Sequence, residues 1–192
     1  MGTEFYYDPE SYWMLRGYTY PYEDHGFMFT DFPGRREVSS ILSKLKPSSL
    51  LDVGCGAGRL FPLYKEVPRV LAVDFSPSML MHAYKMRRWL GLENIEIRRF
   101  DVRELNRLEE SFDLVLSRTV LMHIKPEDIG RTVEGIIKVC KRYVLLIEYF
   151  DSPEGLSPHN YSHDYPVLFS RMKLEYSKYI AGDVLFLYRK VI

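Results

Sequence analysis

Residues Leu50 to Gly58 read Leu-Leu-Asp-Val-Gly-Cys-Gly-Ala-Gly, an apolar strand that runs without a break into a turn with glycine at alternate positions. Glycines at 54, 56 and 58 allow positive φ and let the backbone approach a ligand where a Cβ would intrude. The segment predicts a strand, a ligand-cradling turn and then a helix.

The rest of the chain extends that pattern. Short apolar segments at Leu50–Val53, Val70–Val73, Ile95–Arg99, Phe112–Leu116 and Tyr143–Ile147 alternate with segments of helical spacing near Arg59–Glu66, Ser78–Leu90 and Glu127–Lys141. Such alternation is the signature of a parallel sheet with helices on both faces. Ahead of it, Val38, Ile41, Leu42 and Leu45 fall at helical spacing until Lys46, Pro47 and Ser48 stop the segment. At the far end, Arg171–Ile180 and Val184–Lys190 alternate like half-exposed strands around Ala181, Gly182 and Asp183, and predict a hairpin. The expected fold is a doubly wound, mostly parallel seven-stranded α/β sheet with a C-terminal antiparallel hairpin.

With 192 residues and 46% hydrophobic content, the chain suits one domain over 1–192, with a core at 33–192. Residues 1–32 form an aromatic-rich N-terminal extension, expected to be a lid or cap. Lys plus Arg equals Asp plus Glu at 26 each, so no global positive field advertises a nucleic-acid partner. Local basic groups at Arg35 and Arg36, at Lys85, Arg87 and Arg88, and at Arg98, Arg99, Arg103 and Arg107 read either as a phosphate-binding stripe or as solvated faces paired with Glu. Cys55 and Cys140 form no disulfide framework or CxxC pair, which suits a reducing compartment. No apolar run approaches the roughly 20 residues that span a bilayer, and the start lacks a signal pattern. A cytoplasmic protein with no membrane association is expected. The absence of Gln and the presence of only three Asn match a bias of proteins from hot environments.

The strand Val70–Val73 ends in Asp74, whose carboxylate can accept from both hydroxyls of a ribose. Ser76 can cap the next helix with Pro77 at its first position, which places Phe75, Met79 and Leu80 near a flat base. Asp101, after the third strand, can accept from an exocyclic amine. Asp52, Asp74 and Asp101 thus converge on one crevice and favour a nucleoside-containing cofactor. Asp113 reads as structural.

These motifs resemble those of the class I methyltransferase family, with its Rossmann-like core. LLDVGCGAG is similar to the family's first motif, VDFSPSML to its second, FDVREL to its third and SFDLVLSRTVLMHI to its fourth, in order. The resemblance covers roughly residues 45 to 190, and the glycine spacing differs from the GxGxxG of dehydrogenases. It implies S-adenosylmethionine as cofactor and S-adenosylhomocysteine as product. By the same resemblance Asp52, Gly54, Gly56 and Gly58 hold the methionine part, Asp74 the ribose, and Asp101 with Val102 the adenine. Cys55 of the first motif and Ser117 of the fourth join this cofactor set.

The family varies its acceptor half, so acceptor residues rest on chemistry alone. His123 in SRTVLMHI is the candidate catalytic base. Arg118 and His123 follow the fourth strand, and His159, His163 and Tyr165 lie in a loop rich in proton-handling groups. Tyr18 and Tyr22 of the aromatic segment can stack on a base or hold a cationic amine. No metal site is expected, because the two loop histidines lack a well-spaced third ligand. A small-molecule acceptor methylated on N or O is preferred; an RNA base and a non-catalytic role beside a partner subunit stay open.

Overall fold

The computed structural model describes residues 8–19, 32–149 and 159–191. Among these, seven strands form one sheet: β1 (Ser49–Val53), β2 (Arg69–Asp74), β3 (Ile95–Arg99), β4 (Phe112–Arg118), β5 (Cys140–Tyr149), β6 (Met172–Ile180) and β7 (Asp183–Lys190). Their order is β3-β2-β1-β4-β5-β7-β6. Strands β1 to β5 pair in parallel, and β7 inserts antiparallel between β5 and β6. The order reverses between β1 and β4, so the carboxyl ends of these two strands frame the crevice where such sheets bind ligands.

Among the described residues, five α-helices accompany the sheet: α1 (Pro9–Thr19), α2 (Arg35–Leu45), α3 (Pro77–Leu90), α4 (Pro126–Val139) and the short α5 (Tyr165–Leu168). Side chains alternate across the pleat, and neighbours such as Leu50 and Leu51 therefore enter two different cores. One core joins Leu50, Ala72 and Leu116 to Val38 and Ile41 of α2 and to Leu80 and Ala83 of α3. The other joins Leu51, Val73 and Val115 to Ile129, Val133 and Ile136 of α4. Burial on both faces explains why the inner strands are continuous apolar runs.

Local chemistry sets the ends of the elements. Ser76 accepts the Met79 N–H and Pro77 opens α3, while Gly91 ends it in the left-handed region at φ 62°. Asp8 accepts the Ser11 N–H at 3.0 Å and Pro9 opens α1. The hairpin turns at Ala181 and Gly182, both at positive φ, as a two-residue connection between twisted strands requires.

The helix expected at Arg59–Glu66 is instead a single 3₁₀ turn, Phe61–Leu63. Pro62 lies inside that segment and would remove a hydrogen-bond donor from the interior of an α-helix. The helix expected to run to Lys141 stops at Val139, and β5 begins at the next residue. Helix α5 was not expected; Asp164 caps it by accepting the Val167 N–H at 3.1 Å.

From the extension, α1 lies across the start of α3. Ser76 Oγ and Ser78 Oγ donate to the Trp13 and Met14 carbonyls at 3.2 and 2.8 Å, and His82 Nε2 donates to the Gly17 carbonyl at 2.9 Å. A Cβ on Gly17 would lie 2.1 Å from Ser78 Oγ, so the approach requires glycine. No described helix is long and apolar enough to cross a membrane.

Candidate active site

At the carboxyl end of β1 the chain turns through Gly54, Gly56 and Gly58 at φ 68°, 53° and 81°. A Cβ on Gly54 would sit 2.4 Å from a Val120 methyl, and one on Gly58 would sit 2.7 Å from the Phe61 ring. Gly56 differs, since its Cβ would meet only the Met79 terminal methyl at 3.3 Å. Gly54 and Gly58 are therefore required by packing, while Gly56 keeps open space on a cavity of about 340 Å³ that Gly54 also lines.

One end of this cavity is lined by Asp52, Gly54, Cys55 and Gly56 from β1 and its turn. Asp74, Phe75 and Met79 follow from β2 and α3, and Asp101 and Val102 from the loop after β3. Asp74 fixes the arrangement: Oδ2 accepts the Gly56 N–H at 3.0 Å and Oδ1 accepts the Ser76 N–H at 2.9 Å. Burial pushes the Asp74 carboxyl up, against the pull of these N–H groups. Asp52 is 2% exposed, and its Oδ2 has no hydrogen-bond partner among the described residues. Burial raises its carboxyl to about 7, partly offset by the Tyr64 hydroxyl and reinforced by the Asp74 charge. Burial alone would also raise Asp101, but the Arg103 guanidinium and backbone N–H outweigh it and hold that carboxyl low. Both Asp101 oxygens lie 3.0 Å from Arg103 Nε.

The opposite wall comes from α1 and from the loop after β4. Tyr12, Trp13 and Arg16 project from α1, and Arg118, Thr119, Val120 and His123 from β4 and its loop. Trp13 meets His123 edge-on at 5.0 Å, and His159 stacks behind His123 at 5.4 Å. Tyr12 lies 4.6 Å from His159, with its hydroxyl 3.4 Å from Nε2. His123 Nδ1 lies 3.1 Å from the His159 carbonyl oxygen, which can only accept, so Nδ1 carries the hydrogen and Nε2 the lone pair. Burial pushes His123 down to about 4, which leaves the ring neutral at physiological pH.

Most predicted cofactor residues meet in this cavity, but three stand off it. Gly58 packs under Phe61, Ser76 is the cap of α3, and Ser117 is fully buried with its Oγ donating to Glu148 Oε1 at 2.7 Å. The predicted acceptor residues separate further. Arg118 and His123 line the cavity, whereas His159 backs His123. His163 is buried with Nε2 donating to the Ile124 carbonyl at 2.9 Å, and Tyr165 is wholly inside the core beside Phe186. The polar composition of the loop points both to the acceptor half, yet Tyr165 packs into the core with Phe186 and Tyr188 of β7, and His163 turns inward to the Ile124 carbonyl. Tyr18 is 71% exposed on the outer side of α1, and Tyr22 lies outside the described residues. Tyr12 and Trp13, not Tyr18, face the cavity; a helical phase for α1 was the missing piece.

Arg59, Thr119 and Val120 also line the cavity and were not anticipated. Arg59 directly follows the last glycine, and its guanidinium lies 5.1 Å from the Phe32 ring, as Arg118 does at 4.7 Å. Several expected basic groups are paired with acids: Arg98 with Glu96 and Glu110, Arg103 with Asp101, and Arg107 with Glu104. Among the described residues, no group of three or more His, Cys, Asp or Glu is arranged to hold a metal.

Residues 50–143 match a family model described as a methyltransferase domain. The chain is 32% identical over 129 residues to a phosphatidylethanolamine N-methyltransferase of Cereibacter sphaeroides, an alignment covering 66% of this chain and 62% of that protein. It is 33% identical over 110 residues to phosphoethanolamine N-methyltransferase 1 of Zea mays, covering 56% of this chain and 22% of the other. The chain thus spans less than two thirds of either relative. Among solved structures it resembles the N-methyltransferase NodS of Bradyrhizobium japonicum in complex with S-adenosylhomocysteine, with a TM-score of 0.76, 18% identity and coverage of 94% and 99%. It also resembles the Synechocystis magnesium protoporphyrin IX methyltransferase with the same molecule bound, with a TM-score of 0.73, 17% identity and coverage of 95% and 98%. At these identities the likeness is one of fold.

Proposed function

Residues 50–143 match a methyltransferase domain, and from that premise we propose that the chain is a class I, Rossmann-like methyltransferase that transfers a methyl group from S-adenosylmethionine to a nitrogen or oxygen of a small-molecule acceptor. The observation that carries this reading is the division of one cavity between a glycine-and-carboxylate half and an aromatic, histidine-bearing half.

The residues present suit the cofactor. Gly56 leaves space that a Cβ would fill, and Asp52 offers a buried carboxylate oxygen with no described partner, a match for the ammonium of a methionine moiety. Asp74 sits beside the turn where a ribose would be held, with Phe75, Met79 and Val102 around an adenine site. When bound, S-adenosylmethionine supplies an electrophilic methyl on a sulfonium. The protein's part is alignment in a dry pocket, which lowers the barrier by holding the acceptor near the reacting carbon.

His123 can accept a hydrogen bond at Nε2 from an acceptor N–H or O–H and so orient its lone pair. Its low basicity suits orientation better than outright proton removal at neutral pH. Tyr12 and Trp13 line the cavity from α1 and add an apolar, aromatic surface to the acceptor side. The amine acceptors named for the two relatives favour nitrogen, and the cavity volume falls in the range of small-ligand sites.

The test is calorimetric titration with S-adenosylhomocysteine, combined with S-adenosylhomocysteine release from S-adenosylmethionine on incubation with a small-amine panel that includes phosphoethanolamine, a metabolite extract or total RNA. Binding with turnover on the small-molecule arms supports the reading. Turnover confined to RNA moves the acceptor to a nucleic acid, and absence of binding removes the proposal.

A further inference from the structure

Strand β5 is buried along Val144–Ile147, as a central strand should be, yet the next residue is Glu148, whose exposure is 0%. A carboxylate without water must find donors within the protein. Those donors come from one place, the end of β4 and the loop that follows it. Ser117 Oγ donates to Oε1 at 2.7 Å, Val120 N–H to Oε2 at 3.0 Å and to Oε1 at 3.2 Å, and Met122 N–H to Oε2 at 3.3 Å. None of these donors is a cation.

The loop so gathered has an unusual backbone. Thr119 adopts φ 51°, a left-handed conformation that a β-branched residue avoids unless its surroundings impose it. Its N–H is tied to the Ile147 carbonyl at 2.8 Å, one residue before Glu148. The Val120 methyls occupy the space that Gly54 leaves open, so this loop seats directly on the cofactor turn. The 3₁₀ turn Leu121–His123 follows, with His123 on the cavity wall. Glu148 itself lies off the cavity, which rules it out as a group that touches a ligand there.

We propose that Glu148 is a positioning residue for methyl transfer: its carboxylate gathers the Val120 and Met122 N–H groups and the Ser117 hydroxyl, and thereby fixes the acceptor wall, His123 included, against the glycine turn. The link to transfer rests on the function proposed above; the anchoring of the loop does not.

The experiment uses the full chain carrying Glu148→Gln, which keeps the size of the side chain but turns one acceptor oxygen into a donor facing N–H groups. Three readouts are taken: amide hydrogen exchange over residues 119–124, affinity for S-adenosylhomocysteine, and kcat and KM on whichever acceptor supports turnover. Exchange over 119–124 should rise at least about tenfold while β1 and β2 keep their protection. Affinity should stay within about threefold, because the Asp74 half is intact, and kcat should fall at least about tenfold with the KM for S-adenosylmethionine little changed. Unchanged exchange overturns the anchor. Faster exchange with unchanged kcat overturns its role in transfer, and a loss of protection spread over the whole sheet shows a general structural role instead. Should the variant not fold, Ser117→Ala retains the carboxylate and withdraws one donor. Exchange over 119–124 should then rise about two- to fivefold, and wild-type exchange overturns the anchor. A protein that binds no cofactor sinks the proposed function while the exchange readout still decides the anchor.

Discussion

The Asp74 carboxylate accepts the Gly56 N–H at 3.0 Å, so the end of β2 is tied to the glycine turn that follows β1. One side chain therefore both shapes the turn and faces the cavity where a ribose would lie. Asp74→Ala removes both roles, and S-adenosylhomocysteine affinity should fall at least about tenfold, as loss of charge-assisted hydrogen bonds worth roughly 1.5–3 kcal/mol requires. Calorimetry checks this, and an affinity equal to wild type would remove Asp74 from the cofactor site.

Asp52 gives the site a proton linkage. Burial raises its carboxyl to about 7, so near neutral pH the ligand-free protein holds part of a proton there. An ammonium placed beside it favours the ionised form and lowers that value, so binding releases protons and affinity rises as pH is raised through 7. Calorimetry of S-adenosylhomocysteine in buffers of different ionisation enthalpy should report net proton release near pH 7, abolished in Asp52→Asn. Proton uptake, or no exchange at all, would contradict the assignment.

The histidine on the cavity wall should not behave as a physiological switch. With burial pushing it to about 4 and the His159 carbonyl fixing the hydrogen on Nδ1, His123 should stay neutral in that tautomer across pH 5–8. Long-range proton–nitrogen NMR correlations across a titration from about pH 3.5 to 8 read both properties. A titration near the ordinary histidine value, or a hydrogen on Nε2 at neutral pH, would end its role as a hydrogen-bond acceptor for substrate.

Gly54 is constrained twice, by φ 68° and by the Val120 methyls that a Cβ would meet at 2.4 Å. Gly54→Ala should cost about 1–3 kcal/mol in denaturant unfolding. It should also disturb the loop after β4 more than Gly91→Ala, where φ is 62° but nothing lies within 4 Å. Equal costs at the two sites would show that the backbone alone, and not the contact with Val120, sets the requirement.

The cofactor half was legible because its residues are consecutive in sequence and each has a local cause. An apolar strand, glycines at a turn and a carboxylate at the next strand's end are read from neighbours a few positions apart, and Asp52, Gly56 and Asp74 do meet around one cavity. The C-terminal hairpin was legible for the same reason, through Ala181 and Gly182. The acceptor half was not. Tyr12 and Trp13 reach the cavity because α1 docks its carbonyls on Ser76, Ser78 and His82, contacts that span more than 60 positions.

Sequence by itself determined the doubly wound sheet, the turn and the carboxylates around it, since hydrophobic period and backbone freedom are local properties. Tertiary structure alone decided which groups share the other wall. It took His163 and Tyr165 into the core, left Tyr18 exposed, and set Glu148 beneath the loop that carries His123. A polar side chain's surroundings depend on which distant elements pack over it, and the energies that choose between burial and exposure are sums over contacts no short window contains.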